Sequence, residues 1–166
     1  MKIIIGSDHA GFELKEDLRA YLREQNFEVV DLGVQSENAV DYPDIGSAVA
    51  EQVSKGEFER GILVCGSGIG MSIVANRFAG VRAAVCQDLY TARMSREHND
   101  ANILALGGRL TGKGLAREIL KVWLESGFQG GRHQRRLDKI RAIEEQLRLP
   151  LQPPPSSADG AEKKGI

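Results

Sequence analysis

No apolar run in this sequence is long enough to cross a bilayer, and the one nearest the N-terminus is only Ile3-Ile4-Ile5 before Gly6. That is too short for the hydrophobic segment of a secretory leader as well as for a membrane span. Cysteine is scarce. The only two, Cys65 and Cys86, cannot build a disulfide framework, and in a chain without a leader they are expected to remain free thiols in a reducing compartment. A soluble, cytoplasmic protein is the expectation. Charge of one sign is also lacking: 22 basic side chains face 23 acidic ones, which excludes a bulk field that would attract nucleic acid or a membrane surface. Any anion site must therefore be local. Metal-ligand spacing is missing too, because no pair drawn from His9, His98 and Cys65 has the short separation of a zinc site. Neither a metal nor another cofactor is expected.

What is present is an alternation of short β-branched runs with longer stretches of helical period, the pattern of βαβ units. Five strands are predicted: 2–6, 27–32, 61–65, 81–86 and 102–106. The helix between the first two spans about 11–25, with Leu14, Leu18, Tyr21 and Leu22 on one face. Pro43 opens the next helix, which stops at Gly56. Another starts in Gly66-Ser67-Gly68-Ile69-Gly70, one covers about 88–98, and two more are predicted over 113–126 and 133–147. Strands apolar on both faces need helices on both sides, so the fold class is α/β, a three-layer α/β/α sandwich around a five-stranded parallel sheet. Residues 1–147 form one domain on this reading. Residues 148–166, with Pro153-Pro154-Pro155 and no apolar period, are expected to be a disordered, dispensable tail.

In open parallel sheets ligands bind beyond the carboxyl ends of the strands. Strand one ends there in Ser7-Asp8-His9, strand three in Cys65 and its glycine turn, strand five in Gly107-Gly108-Arg109. A carboxylate, an imidazole, a thiol, a guanidinium and a run of bare amides thus share one edge, an inventory suited to acid–base chemistry on an anion. A thiol before a helix N-terminus is expected to favour the thiolate. The bland reading of Cys65 is a small buried hydrophobe, and for Cys86, which has no glycine turn behind it, that reading is preferred. The glycine run can hold a phosphate or a developing oxyanion. It fails as a dinucleotide fingerprint because Met71 stands at the third glycine, and the stretch from Gly107 to Gly112-Lys113 fails as a triphosphate loop because Gly114 replaces the magnesium-binding hydroxyl. Arg132, Arg135 and Arg136 would ordinarily be a solvated helix face. After Gly130-Gly131, however, the amides of a helix start and two of these guanidiniums can clamp a phosphate.

Taken in order, Gly6-Ser7-Asp8-His9-Ala10-Gly11, Asp41-Tyr42-Pro43, Cys65-Gly66-Ser67-Gly68-Ile69-Gly70, Ser95-Arg96-Glu97-His98-Asn99-Asp100 and Gly130-Gly131-Arg132-His133-Gln134 resemble the type B ribose-5-phosphate isomerases, a family that also holds allose- and galactose-6-phosphate isomerases. The resemblance covers about residues 1–147. It implies a Rossmann-like sandwich with sheet order 2-1-3-5-4, and a homodimer that can pair into a tetramer, with its sites between subunits. It further implies Cys65 as the base moving a proton between C1 and C2, with Gly66, Ser67, Gly68, Ile69 and Gly70 stabilising the enediolate and Ser67 shuttling the oxygen-bound proton. His98, assisted by Asp8, is implied as the group that opens the furanose ring. Asn99 is implied at substrate oxygens, and His9, Arg109, Arg132 and Arg136 at the phosphate and sugar; Arg135 has no role in the pattern. Some members carry a glutamate base just after the last glycine, where this chain has Met71, so the chain belongs with the cysteine branch or is inactive; the expectation is an aldose–ketose isomerase of the pentose phosphate pathway. A hexose-6-phosphate isomerase of the same family and a non-catalytic sugar-phosphate binding module are the alternatives, the second having no use for a thiol base.

Overall fold

The structure is a computed structural model that describes residues 1–36 and 38–148; nearly all of the segment expected to be a tail therefore lies outside the described residues. Five strands, β1 (Lys2–Ser7), β2 (Glu28–Asp31), β3 (Arg60–Cys65), β4 (Ala83–Val85) and β5 (Ile103–Gly107), form one parallel sheet in the order β2-β1-β3-β5-β4. Six helices are described: α1 (Phe12–Glu24), α2 (Tyr42–Ser54), α3 (Ile69–Ala75), α4 (Leu89–Asn99), α5 (Lys113–Glu125) and α6 (Arg132–Arg148). No described helix is long and apolar enough to cross a membrane.

The period of two along the central strands divides the core. Ile3 and Ile5 of β1, with Ile62 and Val64 of β3, pack on Leu14, Leu18 and Leu22 of α1 and on Ile119, Leu120 and Trp123 of α5. Ile4, Leu63 and Cys65 point the other way, onto Val49 and Val53 of α2 and Met71 and Ala75 of α3. Each fully buried aliphatic side chain contributes about 1.5–3 kcal/mol relative to exposure. Both faces are covered, as the unbroken apolar strands required.

Two departures have local causes. β4 is only Ala83–Val85, shorter than the apolar run 81–86 suggested. Side-chain amides take over the backbone groups at its start: Asn102 Oδ1 accepts from the Arg82 amide at 2.7 Å, and Asn76 Oδ1 accepts from the Ala83 amide at 2.9 Å. On the other edge, Lys15 of α1 is fully buried, which no apolar pattern foretells. Its ammonium donates to Asp31 at 2.5 Å and to Glu16 at 2.8 Å, and Arg19 reaches the same Asp31 at 2.9 Å. A buried charge persists only with such partners. Asp31 in turn accepts from the Gly33 amide at 2.8 Å, and the chain after β2 continues over the sheet edge, the Val34 amide donating to the Ser7 carbonyl at 3.1 Å.

Candidate active site

The carboxyl ends of β1, β3 and β5 carry three short loops that are hydrogen-bonded to one another. The Asp8 amide donates to the Val64 carbonyl at 3.3 Å, the Gly108 amide to the Cys65 carbonyl at 2.8 Å, and the Arg109 amide to the Gly66 carbonyl at 3.2 Å. Asp8 is buried, and its Oδ1 accepts from the Gly11 amide at 3.0 Å, capping the 3-10 turn His9–Gly11. That bond orients the carboxylate and leaves its second oxygen for the site. His9, on the same turn, accepts at Nδ1 from the Val40 amide at 3.3 Å, so the loop after β2 leaves Nε2 as the ring's outward nitrogen.

Cys65 is the last residue of β3 and is 5% exposed. Its Sγ accepts from the Gly68 amide at 3.2 Å, and the Ser67 hydroxyl oxygen accepts from the Ile69 amide at 3.4 Å. Gly68 holds this turn at φ +79°, and a Cβ there would lie 3.0–3.2 Å from the Leu106 backbone. Only glycine fits both the left-handed conformation and the close approach. The cavity above is about 390 Å³ and is lined by Asp8, Tyr42, Cys65, Gly66, Ser67, Gly70, Arg109 and Leu110. Tyr42 is the residue that sequence reasoning passed over, since Asp41-Tyr42-Pro43 reads first as a helix start. Its ring lies against Gly70, so close that a side chain there would meet it at 2.8 Å. A bulky aromatic at a first helical turn facing a glycine loop was the available signal. Cys86, by contrast, is buried away from this cavity, and burial pushes its thiol up from the ordinary range.

The remaining candidates form a second cluster. His98 and Asn99 end α4, and Arg132 and Arg136 lie on the first turns of α6. Gly130 and Gly131, both at positive φ, turn the chain into α6, while Gln129 ties that turn to α4 through the Glu97 carbonyl at 3.0 Å and the Glu97 carboxylate at 2.8 Å. The His98 and His133 rings stack with centroids 4.1 Å apart and planes 7° from parallel. His133 is buried, and Arg132 Nε donates to its Nε2 at 3.3 Å. Burial first, then His98, Arg132 and Arg136, keep the His133 imidazole below the usual histidine range.

The two clusters sit at opposite ends of the sheet. α4 runs back from the carboxyl edge, so the residue after His98-Asn99, Asp100, is bonded to Arg82 and Arg96 beside the amino ends of β4 and β5. Gly61 pairs with Ile103 there, and Cys65 pairs with Gly107 at the far end. Four strand residues separate the ends by about 13 Å. None of His98, Asn99, Arg132 and Arg136 lines the Cys65 cavity. Among the described residues no three His, Cys, Asp or Glu side chains converge as a metal site would require. The two clusters differ in chemistry: one has a thiol, amides, a carboxylate and a guanidinium, the other an imidazole pair, an amide side chain and two guanidiniums.

The sequence model described as ribose/galactose isomerase matches residues 3–140. Over 144 residues the chain is 50% identical to ribose-5-phosphate isomerase B of Escherichia coli, covering 87% of this chain and 97% of that protein. Among solved structures it is similar to Clostridium thermocellum ribose-5-phosphate isomerase B, with 54% identity, a TM-score of 0.87, and coverage of 89% of this chain and 99% of that one. The Mycoplasma genitalium ribose-5-phosphate isomerase B, solved with bound ribulose-5-phosphate, shares 40% identity with a TM-score of 0.84, over 87% of this chain and 97% of that one.

Proposed function

The chain belongs to the ribose/galactose isomerase family, and from that premise we propose that it interconverts ribose 5-phosphate and ribulose 5-phosphate through an enediolate, with Cys65 as the base. The observation that carries this reading is the cavity in which the Cys65 sulfur, held at 3.2 Å by the Gly68 amide, faces Asp8, the glycine-turn backbone and Arg109. The open-chain aldose loses its C2 proton to Cys65, the electron pair moves into the C1–C2 bond, and charge appears on O1. Backbone donors of the Gly66–Gly70 turn meet that charge, each contributing about 3 kcal/mol when it acts mainly on the transition state. The proton returns to C1, and Ser67 carries the oxygen-bound proton from O2 to O1. A phosphate anchored by His9, Arg109, Arg132 and Arg136 supplies binding energy remote from the reacting carbons.

Ring opening precedes this: a proton leaves the C1 hydroxyl, the bond from C1 to the ring oxygen breaks, and that oxygen is protonated. His98 is the acid–base group in this reading, assisted by Asp8, with Asn99 on substrate oxygens. Because His98 and Cys65 of one chain lie at opposite sheet ends, the site is composite, formed by the Cys65 cavity of one subunit and the His98 cluster of another. The homodimer is thus part of the proposal, as is a cytoplasmic setting, supported by two free thiols.

The test is a coupled assay across ribose, allose and galactose phosphates, with Cys65→Ser as the mechanistic variant. Ribose 5-phosphate is expected to be the best substrate, and the serine enzyme to bind it without turnover, a hydroxyl being too weak a base in this position. Full turnover by Cys65→Ser would refute the thiol mechanism, and a higher kcat/KM for a hexose phosphate would reassign the substrate.

A further inference from the structure

His133 has no part in the mechanism above, yet it is the most constrained histidine of the three in the chain. It is 3% exposed, and its ring covers one face of His98 at 4.1 Å. Arg132 Nε–H donates to its Nε2 at 3.3 Å. A guanidinium has no lone pair to offer, so Nε2 must be the bare nitrogen and the ring's one hydrogen sits on Nδ1. Among the described residues that buried Nδ1 has no partner. Natural proteins keep few such orphaned groups, and one beside a reacting imidazole calls for a reason.

We propose that His133 is a positioning residue for ring opening: a permanently neutral imidazole that backs His98 and links it to the phosphate-binding Arg132. This rests on the reading of His98 as the ring-opening group and Arg132 as a phosphate contact. A second proton on His133 would have to enter at Nε2, displacing the Arg132 bond and adding a cation between Arg132 and Arg136 of α6 and His98 of α4. The nearby Glu97 carboxylate is engaged by Gln129. Two imidazoliums stacked face to face repel, whereas an imidazolium over a neutral aromatic face is attracted to it. The stacked pair therefore holds at most one positive charge, which leaves the proton exchange of ring opening to His98. The bond to His133 also uses only Nε of Arg132. Its two terminal nitrogens take no part in that bond and are left for the two-pronged grip on a phosphate. Phosphate capture and the orientation of His98 thus share one rigid side-chain chain, Arg132 to His133 to His98.

The experiment uses the full-length enzyme in two measurements. In 15N-histidine NMR, His133 should show a neutral ring with hydrogen on Nδ1 at neutral pH and keep it to lower pH than an ordinary histidine does. In steady-state kinetics on ribose 5-phosphate, His133→Ala should lower kcat about tenfold or more. The inhibition constant of 4-phosphoerythronate, an open-chain acid that needs the anchor but no ring opening, should move less than about twofold. His133→Phe, which keeps the flat face, should recover part of the lost kcat. A charged His133 at neutral pH, hydrogen on Nε2, an unchanged kcat in His133→Ala, or kcat and inhibitor affinity falling together in both variants would each overturn the proposal. His98→Ala separates it from its premise. Full activity in His98→Ala would overturn the role of His98 itself, while an inactive His98→Ala beside an unaffected His133→Ala sinks the positioning role alone.

Discussion

Replacing Gly68 with alanine perturbs stability and catalysis through two separable causes. The first is conformational. At φ +79° an L-residue pays about 1–2 kcal/mol for the left-handed region. The second is steric, because the new Cβ would meet the Leu106 carbonyl carbon at 3.0 Å, its oxygen at 3.1 Å and its nitrogen at 3.2 Å. Those atoms belong to β5 in the middle of the sheet and cannot withdraw, so the turn itself must move by a few tenths of an ångström. The amide that moves is the one donating to Cys65 Sγ at 3.2 Å. Loss of one oxyanion donor costs about 10²–10³ in kcat, and a partial displacement of this turn, whose amides are assigned to both the thiol and the enediolate, should cost about 10–100-fold. Gly80→Ala is the control: φ is +71° there with nothing within 4 Å of the added Cβ. Both variants should lose about 2–4 °C of Tm per kcal/mol of strain, Gly68→Ala more than Gly80→Ala. Only Gly68→Ala should lose kcat, with KM little changed because Gly68 supplies none of the four side chains assigned to the phosphate. Thermal unfolding and ribose 5-phosphate kinetics read the two effects. A Gly68→Ala enzyme that is destabilised but fully active would refute the argument that this amide serves the thiol.

Mixing Cys65→Ala and His98→Ala chains under subunit exchange should restore activity, since a hybrid dimer has one site drawing an intact Cys65 from one chain and an intact His98 from the other. With random assortment half the dimers are hybrids, each with one good site of two, so recovery should approach about a quarter of wild-type turnover; none after verified exchange would show that each site comes from a single chain. Away from the site, Arg117 donates to Asp17 at 2.7 and 2.8 Å and holds that carboxyl below its usual range, first through this hydrogen bonding and then through its charge. A depressed carboxylate stabilises the fold above its unfolded value, and the benefit disappears as pH falls through the folded one. Asp17→Asn should therefore unfold at lower temperature than wild type at neutral pH, and the gap should close as pH falls below the ordinary carboxylate range; a gap that is constant with pH would mean that the residue acts through packing.

Much of the candidate site was legible in the sequence because its chemistry sits in contiguous motifs. Gly6 to Gly11 and Cys65 to Gly70 each follow a strand, and in a parallel sheet that alone directs them to one edge. Their glycines mark where the backbone must turn sharply or approach another strand. Tyr42 escaped because its contact, the backbone of Gly70, lies on another element. His133 escaped because a histidine between arginines reads as a solvated face until α4 is seen packing on it.

By itself the sequence determined what depends on local pattern: five strands from β-branched runs, helices from apolar periodicity, two cores from the alternation within β1 and β3, and the residue types that make proton transfer on a phosphorylated sugar a coherent reading. Tertiary structure alone decided what depends on distance between elements. It buried Lys15 against Asp31, because α1 crosses the edge of β2 there. It shortened β4, because amides of Asn76 and Asn102 take its backbone groups. It also set His98 and Cys65 at opposite ends of the sheet, because a helix that follows a parallel strand must run back along it before the next strand can begin.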